Sequence, residues 1–523
     1  MSSTAITTIL DLLPLASNWS IDFVNPTAYY ISSVFGFWVP LAQAIVFGFT
    51  FATLLILVLT LAMLALPHQL CTMSTSLLKK RPRRRVNKRS RSNLWPTGVW
   101  LFNENKVRAV VKRFLSKLIE SMGLSNSTHT DIATEELQNV LDRSTESGRL
   151  RGVVALVADH KGIRFQHASG EARAGVSMKP DMLFNIASMT KLVTTIAVLQ
   201  QVEAGDLDLD IPVDRYLPEL RSIQVLEGFA DDGSPRLRPA RSVPTTRELL
   251  THTSGYVYEV WNANAFEALQ RGLVASLFAG RPALDAPLAF DPGERWEYGI
   301  GIDWAGLLLE AISAENLMGY FGSHIFGPLE MIDTAFDIPE ATMDRAVTRF
   351  GRGPTGLTEL PEQAVPSRYE STRFYNGGGG LSSTVKDYSR LLRALLNGGE
   401  LDGQRVLSRS MVDQMFTNQI GVLDAGVADT QMPNMSNPID MAFGASGRWG
   451  LGCLLHPDGT PNGRKPGSAS WGGIFNSYFW IDRTSDICVV LATQILPFYD
   501  HETISVLQEF ERVLYDVTED HSH

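Results

Sequence analysis

The 523-residue sequence predicts an α+β domain, in which an antiparallel sheet is flanked by helices and carries an inserted helical lobe, preceded by one transmembrane helix. Three observations support this prediction. Candidate strands lie near both ends of residues 131–517, a helical and loop-rich region separates them, and a long uncharged apolar stretch lies upstream. A chain of this length can bury a large core.

The apolar stretch at 41–65 predicts the membrane span. It belongs to a longer segment, 23–78, that contains no Asp, Glu, Lys or Arg, and about 20 apolar residues are enough to cross a bilayer. Its length and its distance from the first residue distinguish it from a signal peptide. A buried core helix is the alternative interpretation. A short N-terminal segment, 1–40, precedes the span.

A strongly basic run follows the span. Nine Lys and Arg residues and no acid occur between 79 and 91. Because basic residues resist translocation, we expect a single-pass protein whose globular domain is cytoplasmic. The run could instead be a nuclear signal or a nucleic-acid patch, but beside a span an anionic-lipid contact is the simpler interpretation. The net charge of −10 persists despite this run, so the rest is acidic and no nucleic-acid partner is expected.

The remaining organisation follows from composition. Residues 66–130 are expected to be a basic juxtamembrane region and linker, and 131–517 to be the globular domain. The three cysteines, Cys71, Cys453 and Cys488, have neither a paired framework nor metal-ligand spacing. We therefore predict no disulfide scaffold and no metal site, which is compatible with a reducing compartment.

Apolar runs separated by turn residues predict the strands of the globular domain. Residues 152–170 are typical of a hairpin, and 448–455, 477–482 and 486–495 are three further strand candidates. An amphipathic helix is predicted at 502–517. We expect the first and last strands to pair in one antiparallel sheet.

A predicted helix at 188–205 carries the first candidate for chemistry. It opens on Ser188 and places Lys191 on the same face. A serine hydroxyl needs a nearby base to act as a nucleophile, and a lysine in a poorly hydrated pocket can be that base. Ser-x-x-Lys occurs three times in the chain, but only this copy opens a long apolar helix. The alternative is a capping serine and a lysine that reaches the surface.

Two other segments add to this candidate. Tyr298 lies in a glycine-flanked loop just before a predicted helix, where a phenol could exchange a proton with Ser188. Gly472 and Gly473 lie at a strand edge, where glycines allow a ligand to approach the backbone closely. The alternatives are a half-buried structural tyrosine and a β-bulge.

In this order, the segments resemble the serine β-lactamase and penicillin-binding-protein superfamily. The closer resemblance is to its class C-like branch of esterases and fungal polyketide-pathway transesterases. The matching segments, besides those around Tyr298 and Gly472, are FNIASMTK (184–191), LLTHTSG (249–255), YNGGGGLSSTVKDYSRLL (375–392) and RWGLG (448–452). The resemblance covers about residues 131–517 and implies a β-lactamase/transpeptidase-like fold.

The resemblance also implies roles for individual residues. Ser188 would be the acylated nucleophile. Lys191 and Tyr298 would be the pair that removes its proton and later protonates the leaving group. The backbone N–H groups of Ser188 and Ile474 would form an oxyanion hole, which stabilises the charge that grows on the substrate oxygen.

Departures from the family pattern indicate the substrate class. Trp471, followed by Gly472 and Gly473, stands where many relatives have Lys-Thr-Gly, so the receptor for a substrate carboxylate is missing. The Tyr-x-Asn pattern is also absent after Tyr298. Esters or thioesters are therefore favoured over β-lactams.

Three residues near LLTHTSG have open roles. Tyr258 and Trp261 are predicted to bind substrate, with packing in the core as the alternative. His252 is expected to be structural, although its side chain would suit a general base.

The residues and the resemblance together predict a serine transesterase. It would move an acyl group from a thioester or ester donor, small or carrier-protein-bound, to a hydroxyl acceptor in fungal secondary metabolism, without a cofactor. Ester hydrolysis is the first alternative, because the acyl-enzyme chemistry is identical. A catalytically silent membrane-anchored binding protein is the second, and the intact Ser188, Lys191 and Tyr298 argue against it.

Overall fold

The computed structural model describes four parts of the chain. They are residues 19–22, 27–30, 128–361 and 374–519. The chain divides into two compact units, Met1–Val111 and Lys112–His523.

In the first unit, strand Trp19–Asp22 pairs antiparallel with strand Thr27–Tyr30. The predicted span 41–65 lies outside the described residues, as does nearly all of the linker 66–130. Among the residues that are described, no helix combines the length and the apolarity that crossing a bilayer requires.

The second unit is organised around an eight-stranded sheet. Its strands are β1 Gly152–Ala158, β2 Ile163–Arg173, β3 Val176–Ser177, β4 Arg448–Trp449, β5 Leu454–His456, β6 Ser468–Gly473, β7 Ser477–Asp482 and β8 Ile487–Ala492. Their order across the sheet is β4-β5-β6-β7-β8-β1-β2-β3, with antiparallel neighbours. Strand β8 pairs with β1, placing Val490 opposite Leu156. This confirms the predicted antiparallel sheet and the pairing of its first and last strands.

Helices cover this sheet. The α-helices within the described ranges are α1 Thr128–Glu146, α2 Thr190–Ala204, α3 Thr246–Leu250, α4 Ala263–Gln270, α5 Gly301–Ser313, α6 Leu317–Phe321, α7 Val385–Leu396, α8 Arg409–Met415 and α9 His501–Glu519. Every residue of β1, β7 and β8 is buried. Since alternate side chains of a strand point to opposite faces, both faces of these strands are covered. The helix predicted at 502–517 is α9.

The region between β3 and β4 contains α2–α8 and several short strands. These strands are Phe184–Asn185, Gln224–Phe229, Pro235–Pro239, Phe350–Gly353, Gly356–Glu359, Ser382–Ser383, Glu400–Leu401, Gln404–Arg405, Val427–Ala428 and Ile439–Asp440. One more short strand, Ile495–Leu496, follows β8 and pairs parallel with Phe350–Gly353. The sequence predicted a helical and loop-rich lobe, and the structure adds these short strands to it. The hairpin at 224–239 was missed because a register shift before Gly228 interrupts its alternation.

The helix predicted at 188–205 begins later than expected. Ser188 lies in a 3-10 turn, Ala187–Met189, and α2 starts at Thr190. Ala187 has φ +44°, which a regular helix cannot continue through. The far end agrees with the prediction, because Gly205 closes the helix with φ +82°.

Candidate active site

The turn that carries Ser188 has a strained backbone. Ala187, directly before it, adopts a positive φ of +44°, which costs a residue with a β-carbon roughly 1–3 kcal/mol. A hydrogen bond next to it stabilises this conformation, since the Ile186 N–H donates to the Leu381 carbonyl at 3.0 Å. The turn presents the partly exposed Ser188 at the mouth of a pocket.

Strand β6 ends directly against this turn. A β-carbon added at Gly473 would lie 2.3 Å from the Ile186 carbonyl oxygen and 3.4 Å from the Ala187 β-carbon. Only glycine allows this approach, which explains why the strand ends in glycine. Ile474 follows at once and lines the same pocket as Ser188. The two backbone segments that the oxyanion prediction requires are thus neighbours.

Lys191 is buried beneath Ser188, with only 1% of its surface exposed. Its Nζ lies 3.2 Å from Ser188 Oγ, 3.0 Å from the Tyr258 hydroxyl and 2.6 Å from the Gly378 carbonyl oxygen. An ammonium group has three N–H donors and no acceptor. These three oxygens therefore match its hydrogen-bonding capacity.

Tyr258 connects Lys191 to a buried carboxyl group. Its hydroxyl donates to Asp303 Oδ2 at 3.3 Å, while Asp303 Oδ1 accepts the Gly378 N–H at 3.1 Å. Burial raises the pKa of Asp303, and the charge of Lys191 opposes that rise. Burial, with Asp303 beside it, also raises the pKa of Tyr258 well above its usual range, so this phenol keeps its proton.

Tyr298 is held by a different partner. The Trp471 indole donates its N–H to the Tyr298 hydroxyl oxygen at 3.2 Å, and the ring centroids are 4.9 Å apart. Lys191 Nζ lies 5.0 Å from the centre of the Tyr298 ring. Trp471 lies where many relatives are expected to have a lysine, and it is a neutral donor that orients the phenol oxygen.

His252 holds the loop that carries Tyr298. Its carbonyl accepts the Glu297 N–H at 3.0 Å, and its Nδ1 accepts the Gly299 N–H at 3.4 Å. Burial, with the charge of Lys191 as a second cause, lowers the pKa of His252 well below its usual range, so the ring stays neutral. These contacts agree with the structural role expected from the sequence.

The glycine-rich loop at 376–380 closes the site above α2. Thr194 Oγ1 donates to the Gly377 carbonyl at 2.6 Å, and Thr190 Oγ1 accepts the Leu381 N–H at 3.1 Å. A β-carbon added at Gly378 would lie 2.2 Å from an Asp303 carboxyl oxygen. Glycine is therefore required where the loop passes between Lys191 and Asp303.

These elements enclose a cavity of about 280 Å³ that opens at Ser188. Among its described lining residues, the ionisable side chains are Tyr258, Tyr298 and Asp303. Its apolar walls are formed by Ala187, Trp261, Leu277, Phe278, Ala283, Leu284, Ile300, Phe374, Phe475 and Phe498. Such a site suits an apolar acyl group that carries no charge.

The structure brings the predicted site residues together. Ser188, Ile474, Trp471, Gly472, Tyr258, Trp261 and Tyr298 line the cavity, Lys191 lies beneath it, and Gly473 adjoins the turn. The sequence predicted that Lys191 pairs with Tyr298. In the structure, the phenol that accepts a hydrogen bond from Lys191 is instead that of Tyr258.

Asp303 and Gly378 received no role from the sequence. The available clue was an acid in the first turn of the apolar helix α5, at a position that is now seen to be buried.

Comparisons with known proteins agree with this geometry. The sequence profile of the family described as Beta-lactamase matches residues 137–508. The chain is 30% identical over 398 residues to monacolin J acid methylbutanoyltransferase of Aspergillus terreus, covering 72% of this chain and 95% of the relative. It is also 30% identical over 400 residues to lovastatin esterase of Penicillium rubens, covering 72% and 98%.

A solved structure has the same fold. The LovD6 mutant of simvastatin synthase from Aspergillus terreus superimposes with a TM-score of 0.65 and 28% identity, covering 74% of this chain and 96% of that one. The family match spans more than half of the chain. The chain therefore belongs to the beta-lactamase family, as an enzyme of its branch of serine transesterases and esterases.

Proposed function

We propose that this enzyme is a serine acyltransferase that moves an apolar acyl group from a thioester or ester to a hydroxyl acceptor. One observation carries the proposal: Lys191 Nζ lies 3.2 Å from Ser188 Oγ, and Ser188 lines an apolar cavity. A serine whose oxygen receives a hydrogen bond from a buried cation forms its alkoxide more readily.

The reaction has two steps. Ser188 Oγ attacks the acyl carbon, and its proton passes through Tyr298 to the departing thiolate or alkoxide, while Lys191 remains the cation beside the serine oxygen. An oxygen–carbon bond forms to Ser188 as the donor's bond breaks. In the second step the acceptor hydroxyl attacks this ester, and its proton passes through Tyr298 to Ser188 as the serine leaves. The Ser188 and Ile474 N–H groups bind the developing oxyanion in both steps.

The substrate class follows from the walls of the cavity. They are mostly aromatic and aliphatic, and the described lining includes no Lys, Arg or His. A relative named as a methylbutanoyltransferase supports a short, branched acyl group and a bulky acceptor such as a polyketide. A carrier-protein-bound thioester is a suitable donor, because its long flexible arm can deliver an acyl group into the cavity that Ser188 lines.

Hydrolysis is the second candidate function. A relative of equal identity is named as an esterase, and water can replace the acceptor hydroxyl at the acyl-enzyme without any change in the residues involved. The acceptor decides between these two functions.

We further propose that residues 41–65 anchor the enzyme in a membrane, with the catalytic unit on the cytoplasmic side. The support is the uncharged length of this segment and the nine basic residues that follow it at 79–91.

Acyl-enzyme formation tests the central proposal. The protein would be incubated with a fluorophosphonate and with butyryl and 2-methylbutyryl thioesters, and its intact mass measured. We expect one adduct on the wild type and none on Ser188→Ala. An adduct that persists in Ser188→Ala, or a folded wild type that none of the reagents modifies, would contradict the assignment. Adding a secondary alcohol then measures the ratio of transfer to hydrolysis.

A further inference from the structure

A buried carboxyl group lies near the candidate nucleophile, and its described hydrogen bonds go to Tyr258 and Gly378 rather than to the turn that carries Ser188. Asp303 is 2% exposed, and its hydrogen bonds connect it to Lys191. Oδ2 accepts the Tyr258 hydroxyl at 3.3 Å, and that hydroxyl accepts a hydrogen bond from Lys191 at 3.0 Å. The direction of these two hydrogen bonds is fixed, because the carboxylate only accepts and the ammonium only donates.

A second connection runs through the backbone of Gly378. Its N–H donates to Asp303 Oδ1 at 3.1 Å, and its carbonyl accepts from Lys191 at 2.6 Å. The carboxylate and the ammonium are thus bridged twice, once by a phenol and once by a glycine. Each bridge offers Lys191 an acceptor, and Ser188 Oγ is the third.

We propose that Asp303 is a positioning residue that acts through Tyr258 and Gly378 to keep Lys191 protonated and aimed at Ser188. This inference rests on the proposed function. The two bonds of the Tyr258 bridge place carboxylate and ammonium no more than about 6 Å apart, where a buried charge strongly favours an opposite one. Without the carboxylate, burial alone would favour the neutral amine.

Among the described residues, Asp303 is the carboxylate to which the hydrogen bonds of Lys191 lead. The titratable groups that face it are Tyr258, Tyr298 and His252, in addition to Asp303. Tyr258 is a donor to Asp303, and His252 is neutral. Asp303 is therefore the group whose removal changes the charge next to Lys191.

The test uses Asp303→Asn, which preserves shape, and Tyr258→Phe, which breaks one bridge. Asp387→Asn is the matched control, because Asp387 is also buried and also accepts one backbone N–H and one hydroxyl, from Asp333 and Thr334, outside the cavity. The rate of Ser188 acylation by a p-nitrophenyl ester would be measured in single turnovers from pH 5 to 10.

We expect Asp303→Asn to lower the acylation rate at neutral pH by about 10–100-fold, with KM changed less than about threefold. The alkaline limb of the profile should move to lower pH by about one to two pH units, as expected for loss of a unit charge at this distance. Tyr258→Phe should shift it in the same direction by less, and Asp387→Asn should leave it in place. A slower enzyme with an unshifted limb in both site variants would reduce Asp303 to a structural role and overturn the proposal.

A readout without substrate separates this inference from the proposed function. Buried ammonium groups give lysine 15N resonances, and Lys191→Met identifies the resonance of Lys191. We expect this resonance to vanish at lower pH in Asp303→Asn than in the wild type. If the wild type is never acylated but the resonance behaves in this way, only the proposed function fails. If Ser188 is acylated and the resonance is unaffected, only the role of Asp303 fails.

Discussion

Replacing Tyr298 by Phe removes one oxygen atom from the centre of the site. That oxygen accepts the Trp471 indole N–H at 3.2 Å. The change leaves a buried donor without its acceptor, which costs about 1–3 kcal/mol of folding stability. If Tyr298 also carries a proton between Ser188 and the leaving group, turnover should fall by about 10²–10⁴-fold. A hundredfold loss corresponds to about 2.7 kcal/mol in the activation barrier.

The chain contains a matched control for the stability effect. Tyr515 accepts the Trp480 indole N–H at 3.3 Å and donates to Asp482 at 2.9 Å, away from the cavity. Tyr515→Phe therefore leaves the same kind of buried indole N–H without its acceptor as Tyr298→Phe does. We expect it to lose at least as much stability as the site variant and to keep normal activity.

Stability and turnover should be measured separately. Urea denaturation gives the change in the free energy of unfolding, and p-nitrophenyl butyrate gives kcat and KM at a temperature where both variants are folded. A Tyr298→Phe turnover within about threefold of the wild type would refute a proton-transfer role for Tyr298. An equal loss of activity in Tyr515→Phe would refute it as well, because the loss of activity would then follow the loss of stability alone.

Three further predictions concern specificity, geometry and topology. Because Trp471 replaces the family's lysine, kcat/KM for nitrocefin should be far below that for p-nitrophenyl butyrate, and comparable values would refute this argument. Gly473→Ala would press a β-carbon to 2.3 Å from the Ile186 carbonyl, so Ser188 acylation should fall more than about tenfold; Gly322→Ala, with no atom within 4 Å of the added carbon, should not change it. With 41–65 as an anchor, a C-terminal tag should be digested by protease on intact microsomes, and a protected tag would place the domain in the lumen.

The parts of the site that are close in sequence could be predicted from it. Ser188 and Lys191 are three residues apart, and a helical geometry brings such residues to one face, as their 3.2 Å contact now shows. Gly152–Ala158 and Ile487–Ala492 were also predictable, because a short continuous apolar run bounded by turn residues is typical of a strand that is buried on both faces.

The contacts that complete the site are long-range and have no local signature. Lys191 reaches Tyr258 across 67 positions and Gly378 across 187. No periodicity encodes such pairs, because they arise only when the segments that follow α2 fold back onto it. Sequence reasoning therefore assigned Tyr258 to substrate binding alone, although its hydroxyl is also part of the Lys191 network.

The charge balance of the site links the tryptophan to the substrate class. Asp303 and Lys191 are buried next to each other and bridged by Tyr258, so together they contribute no net charge. A second lysine at the position of Trp471 would leave one positive charge in excess, which a substrate carboxylate could neutralise. With an indole there, the hydrogen bond that Tyr298 accepts within the described residues comes from a neutral group. A carboxylate entering the cavity would then lose its hydration without gaining a cationic partner. An uncharged acyl ester or thioester pays no such penalty, and the apolar walls favour it further.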